Sequence, residues 1–92
     1  MAAIVNSSRP RLVDKARLKW DAVRSKHLLL FPEGVLVLSP TANEILELCD
    51  GRRTFDEIVK TLGERYQNNA IEADVKEVLQ KLADKNFVKV EE

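Results

Sequence analysis

The chain is poor in the side chains that usually carry chemistry: among 92 residues there is one cysteine and one histidine. Cys49 alone excludes an internal disulfide and cannot build a metal site. Aromatic residues make up 5% of the chain against 45% hydrophobic residues in all, so the core must be mostly aliphatic. Charge of one sign is also missing. Fifteen basic and fifteen acidic residues cancel, which removes any general attraction to nucleic acid or to an anionic membrane. No stretch approaches the ~20 consecutive apolar residues needed to span a bilayer. The opening MAAIVNSS lacks the charged start and long apolar run of a signal peptide. These absences leave a soluble cytoplasmic protein of one domain with a small core as the expectation.

What is present falls into two halves of different period. Residues 1–8 are small and polar without a period and are expected to be a loose terminus, so the domain runs over residues 9–92. In RPRLV, Pro10 favours an extended approach. RLKWDAV alternates, with Leu18, Trp20 and Ala22 on one face and Lys19 and Asp21 on the other, as a half-buried strand does. HLLLF and VLVL flank Pro-Glu-Gly. Phe31-Pro32-Glu33-Gly34 suits a tight hairpin turn, with proline presetting φ and glycine expected in the left-handed region at the exit. The result is a three-stranded antiparallel meander.

From Ser39 onward the period becomes helical. The first helix has two possible starts: Ser39 as cap with Pro40 at the first position, or Thr41 as cap with Glu44 closing a box. Ile45, Leu48 and Cys49 form its stripe, Leu46 lies on the flank, and Gly51 is expected to stop it. Thr54 and Glu57 form a capping box for a second helix, whose buried face is Phe55, Ile58, Val59, Leu62 and Tyr66. After an Asn-Asn-Ala linker, a third helix places Val75, Val78, Leu79 and Leu82 at i, i+3, i+4 and i+7, with Asn86 as a left-handed cap. FVKV ends the chain as a short extended tail. The fold class is α+β: a three-stranded antiparallel β-sheet followed by a three-helix, winged-helix-like bundle.

Catalytic constellations are hard to find. His27 begins an apolar strand with no partner in view. Cys49 lies on an apolar stripe, where cysteine acts as a small hydrophobe. Asp56 and Glu57 fall in the first turn of a helix and complement its dipole and cap. There is no phosphate loop, nucleophile elbow or metal-ligand cluster, so no catalytic, cofactor-binding or metal residue is assigned. The helices suggest a winged-helix DNA-binding regulator as the alternative. However, the would-be recognition helix sets Glu72, Asp74, Glu77 and Asp84 against Lys76, Lys81 and Lys85, and these acids oppose phosphate contact.

The stretch LLLFPEGVLVL is the anomaly. A strand buried on one face should alternate, yet both faces of both strands are apolar. One face can pack on the helices. Either the N-terminal segment folds back over the other, or Trp20 and lysine stems shield it, or it is a partner site. An exposed apolar strand at a sheet edge can accept another chain as an added strand.

RPRL (9–12), RLKWD (17–21), LLLFPEGVLVLS (28–39), ILELCDGRRTFDEIV (45–59) and DVKEVLQKLADKNFV (74–88), in that order, resemble the pyrroloquinoline quinone (PQQ) biosynthesis protein D (PqqD) family over roughly Arg9 to Val90. Asn86 stands where many relatives have glycine. The resemblance implies a non-enzymatic peptide chaperone. Such a protein binds the ribosomal precursor peptide PqqA and presents it to the radical S-adenosylmethionine (SAM) enzyme PqqE. It also implies that the peptide adds as a strand beside the third strand of the sheet, in a groove shared with the third helix. Carried over by position, that strand is Val35, Leu36, Val37 and Leu38. The helix supplies Val75, Val78, Leu79 and Leu82, flanked by Lys76, Gln80 and Lys81. Trp20, Pro32, Gly34, Asp50 and Gly51 match the family and read as architectural: core filler, turn and helix stop. A homodimer formed by strand exchange is compatible with the strand-rich first half.

Overall fold

The computed structural model describes residues 4–67 and 71–91. The elements run β1 (Arg9–Leu12), β2 (Arg17–Asp21), β3 (Lys26–Phe31), β4 (Gly34–Leu38), α1 (Pro40–Glu47), α2 (Phe55–Tyr66), α3 (Ile71–Asp84) and β5 (Val88–Glu91). The expected meander is present as an antiparallel sheet in the order β2-β3-β4, and the three helices follow it.

The register of the meander sorts its side chains into two faces. Leu18 pairs with Leu29 and Leu29 with Leu36, while His27 pairs with Leu38. That face turns inward: Leu29 is fully buried and Leu38 nearly so, with Leu18, Phe31 and Leu36 packed against the core. α1 is the helix that lies against β3 and β4, while α3 packs on α2, α1 and β5. The centre of the core is Leu29, Ile45, Ile58, Leu62, Val75 and Leu79, all with no exposure, and Phe55 at 2% is the aromatic among them.

The helix ends decide between the alternatives that the sequence leaves open. The Ser39 hydroxyl accepts from the Ala42 N–H at 3.1 Å, with Pro40 in the first turn, so the Ser39 start is the one used. α2 carries the expected capping box: the Glu57 N–H donates to Thr54 Oγ1 and the Thr54 N–H to Glu57 Oε1. Asn86 has φ +66° and ends α3 as expected, with the Phe87 N–H reaching back to the Leu82 carbonyl.

Several expectations need correction. α1 stops at Glu47 with Leu48 as a right-handed cap, well before Gly51. Gly51, at φ +80°, instead turns the chain so that its N–H donates to the Pro10 carbonyl, and an added Cβ there would meet the Arg11 side chain at 3.1 Å. Leu46, placed on the flank, is 2% exposed, because α1 is sandwiched between sheet and bundle. Gly34 does not take positive φ. It pairs with Phe31 as a strand residue, and the turn is Pro32–Glu33. Tyr66 is 43% exposed, and its hydroxyl donates to a Glu44 carboxylate across the surface rather than joining the core. The Asn-Asn-Ala linker lies outside the described residues.

RPRL and FVKV, read separately as extended, pair with each other: β1 and β5 form a second antiparallel sheet with Arg9 opposite Glu91 and Leu12 opposite Val88. The Leu12 N–H also donates to the Cys49 carbonyl, so β1 sits between β5 and the α1–α2 turn. Within the segment expected to be loose, Ile4 and Ser8 are buried. The carbonyls of Asn6 and Ser8 accept the Asp56 and Phe55 N–H groups, which are otherwise free at the start of α2.

The two faces of the sheet should differ in their sensitivity. Leu29→Ala is expected to cost about 2–5 kcal/mol, as buried leucines do. Val35→Ala, on the opposite face, should cost under about 1 kcal/mol. Urea unfolding of both variants measures the contrast.

Candidate functional site

A two-residue loop leaves no choice about which backbone groups bond across a hairpin. Phe31 and Gly34 flank the loop and are paired, so they must be the hydrogen-bonded pair that closes it. Bonded and non-bonded pairs then alternate along an antiparallel ladder. Leu29–Leu36 and His27–Leu38 are therefore bonded pairs, and Leu30–Val35 and Leu28–Val37 are not. The N–H and C=O groups of Val35 and Val37 consequently point away from β3. Among the described residues no strand lies on that side. The two side chains are 57% and 56% exposed. Buried or not, such backbone groups require partners, and here they form a template for one more strand.

The opposite edge of the sheet is built differently. β2 carries Arg17, Lys19 and Asp21, and charge on an edge strand blunts pairing with foreign chains. β4 reads Gly-Val-Leu-Val-Leu and carries no charge. Of the two edges, only β4 is left without this protection.

The residues assigned from the sequence fall into three groups. Val35 and Val37 stand on the outer face, while Leu36 is half-buried and Leu38 buried on the inner one. On α3, Val75, Leu79 and Leu82 are core residues at 0, 0 and 5% exposure. Val78 is half-buried, whereas Lys76 and Lys81 are exposed, with Lys81 Nζ 3.2 Å from Glu77. Gln80 bonds Asp84. α3 and the β3–β4 hairpin approach each other at the end of the helix, where the rings of Phe31 and Phe87 lie 4.6 Å apart. A cavity of about 510 Å³ opens there, lined by Pro32, Glu33, Lys85 and Asn86 together with that aromatic pair and neighbouring residues.

Trp20, read as core filler, is 51% exposed and rests on the His27 ring at 4.7 Å. Leu18, on the same face of β2, packs against the core while the Trp20 indole does not; no local sequence signal marks that difference. Cys49 is buried and donates its thiol to the Ile45 carbonyl at 3.1 Å. Burial, helped by the negative charge of Asp50, pushes this thiol up to about 12. Asp50 itself is held below its usual range by the N–H groups of Arg52 and Arg53. Among the described residues no cluster of histidine, cysteine and carboxylate side chains is arranged to hold a metal ion. No described helix is long and apolar enough to cross a membrane.

A winged-helix-like domain with one uncharged, open sheet edge is a fold of the recognition-module class. The profile of the family described as coenzyme PQQ synthesis protein D (PqqD) matches residues 26–88. A PqqA binding protein of Rhodopseudomonas palustris (strain HaA2) is 42% identical over 88 residues, covering 94% of this chain and 86% of the relative. The PqqA binding protein of Methylococcus capsulatus is 36% identical over 73 residues, 79% of this chain and 78% of that one. The solution structure of the PqqD truncation of Methylobacterium extorquens PqqCD superposes with a TM-score of 0.81 at 40% identity, covering 95% of each chain. That protein is described as a functional, stand-alone recognition element for ribosomally synthesised and post-translationally modified peptides. The chain belongs to the PqqD family.

Two outcomes follow from this geometry. Val37→Pro removes only an outward-facing donor and should keep the fold, whereas Leu36→Pro breaks a ladder bond to Leu29 and should cost at least about 1–3 kcal/mol more; thermal melts of the two variants decide. For Cys49, the unfolded chain loses its thiol proton at an ordinary pKa near 8.5, while the folded chain holds it to about 12. Above pH ~9 the unfolded state therefore binds fewer protons, and stability falls as pH rises. Cys49→Ala should flatten that slope between about pH 8.5 and 10 in urea titrations.

Proposed function

We propose that this protein is a peptide chaperone of PQQ biosynthesis: it binds the precursor peptide PqqA as an added strand along β4 and presents it to the radical SAM enzyme PqqE. The observation that carries the reading is the outward backbone of Val35 and Val37 on an edge without charge. Family membership and the PqqA-binding relatives supply the identity of the peptide. Main-chain bonds to Val35 and Val37 give affinity, and the side chains of alternate peptide residues give selectivity.

In this reading Leu36 and Leu38 face the peptide's inner side chains at the rim of the core. The exposed Lys76 and Lys81 and the half-buried Val78 are the parts of α3 free to meet it. Val75, Leu79 and Leu82 act indirectly, by holding the helix in place. The protein performs no bond-making step itself and acts in the cytoplasm, where the peptide is made. The buried thiol of Cys49, held protonated, supports a non-catalytic role.

Titration of labelled protein with PqqA, read by NMR, should shift the amides of Val35–Leu38 and of the exposed face of α3. Val37→Pro should reduce affinity at least about tenfold while the fold survives, and Lys81→Glu should weaken binding without unfolding. Shifts confined to Thr54–Tyr66 would exclude strand addition. Duplex DNA at physiological salt should give no sequence-dependent shift, and replacing His27 and Cys49 together should leave peptide modification intact in a reconstituted system.

A further inference from the structure

On the outer face of the sheet Val35 and Val37 are exposed and Leu28 and Leu30 half-buried. The rows of this face follow from the register: Arg17–Leu30–Val35, then Lys19–Leu28–Val37, then Asp21–Lys26. Read across the strands, these rows make columns. β2 contributes a basic column, β3 and β4 two aliphatic columns, and beyond them lies the open edge. α1 packs on the inner face, against β3 and β4, and Val35 and Val37 remain more than half exposed. Contiguous apolar surface on a small soluble domain marks an interaction site.

Charge states what kind of partner fits. Arg17, Lys19 and Lys26 are exposed, and none has an ion-pair partner among the described residues. The acid on this face, Asp21, is occupied: its carboxylate accepts the N–H groups of Val23 and Arg24 and lies 3.9 Å from the Arg24 guanidinium. A second copy of the chain would bring three more cations into the same interface with no free acid to meet them. A nucleic acid would leave the aliphatic columns unsatisfied.

We propose that this outer face is the docking surface for the peptide-modifying enzyme, through an apolar patch bordered by acidic residues. The inference rests on strand addition at β4, and gives it a consequence. A strand added there turns every second side chain outward, in line with Val35 and Val37. The bound peptide thus becomes the next column of the same surface. An enzyme seated on Leu28, Leu30 and the basic column contacts chaperone and cargo together. Its affinity for the loaded chaperone then exceeds that for the empty one, and by linkage it tightens peptide binding by the same factor.

The test uses the full chain, the PqqA peptide and PqqE. Arg17→Glu with Lys19→Glu, and separately Leu28→Thr with Leu30→Thr, change the outer face without touching the backbone of β4. Each pair should weaken the complex with PqqE at least about tenfold and leave peptide affinity within about twofold. Adding peptide to wild type should tighten PqqE binding about fivefold or more. The proposal is overturned if PqqE binds both variants as it binds wild type, or if its NMR footprint falls on α2. A parallel loss of peptide affinity in folded variants overturns it too, since the face then belongs to the peptide site. So does loss of a wild-type dimer in sedimentation, or of binding to phosphatidylserine vesicles, in place of loss of PqqE. Strand addition fails by a different sign: amides of Val35–Leu38 unmoved by peptide. In that case the footprint of PqqE on the empty chain still reads the outer face directly.

Discussion

The Pro32–Glu33 turn sets the register of β3 against β4, and the rest of the molecule depends on that register. A loop of two residues forces Phe31 and Gly34 to bond, and strict alternation carries the consequence four residues further. Leu29, Leu36 and Leu38 are thereby sent to the core, Leu28, Leu30, Val35 and Val37 to the outer face, and the polar groups of Val35 and Val37 to open solvent. A slip of one residue would exchange the two sets of side chains. In a chain whose strands are apolar on both faces, side-chain polarity does little to oppose such a slip. The turn does that work instead, which is why a proline and a short loop matter more here than in an alternating hairpin.

The economy of a small core explains why one edge and one face stay uncovered. α1 lies against the sheet and the other helices pack behind it, and most of their apolar stripes go to the core: Ile45 and Leu46 of α1, Phe55, Ile58 and Leu62 of α2, and Val75, Leu79 and Leu82 of α3 are all buried. The chain ends stabilise the far side of the bundle. β1 pairs with β5, and the residues before β1 supply carbonyls to the first turn of α2. Among the described residues no strand pairs with the outer edge of β4.

Cys49, Asp50 and Glu57, whose titration is shifted, are tied to the backbone of turns and helices. The Cys49 thiol is held protonated by burial and bonded to a helix carbonyl. Asp50 and Glu57 are both held below their usual range by N–H groups that they cap. Their ionisation serves turns and helix ends, which agrees with a domain whose task is recognition.

Much of this was legible in the chain itself. Period and caps located the three strands, the three helices, the Thr54–Glu57 box and the Asn86 stop, because these are local effects of neighbouring residues. The doubly apolar hairpin stood out for the same reason. Contacts between distant segments were not legible. Leu46 is buried and Tyr66 exposed because of where α1 and α2 meet their neighbours. Trp20 is half-exposed although Leu18 on the same face packs against the core, and β1 and β5 pair because folding brings them together. Gly51 turns the chain toward β1 instead of stopping a helix. The division among Val75, Val78 and Lys81 likewise depends on packing: a helical stripe names the apolar face, but only the surrounding elements decide how much of it is left for a partner. The sequence by itself determined the elements and the unusual strand, through local backbone and side-chain preference. Tertiary structure decided which edge is open and which surface is bare, because those properties belong to what lies beside a residue in space.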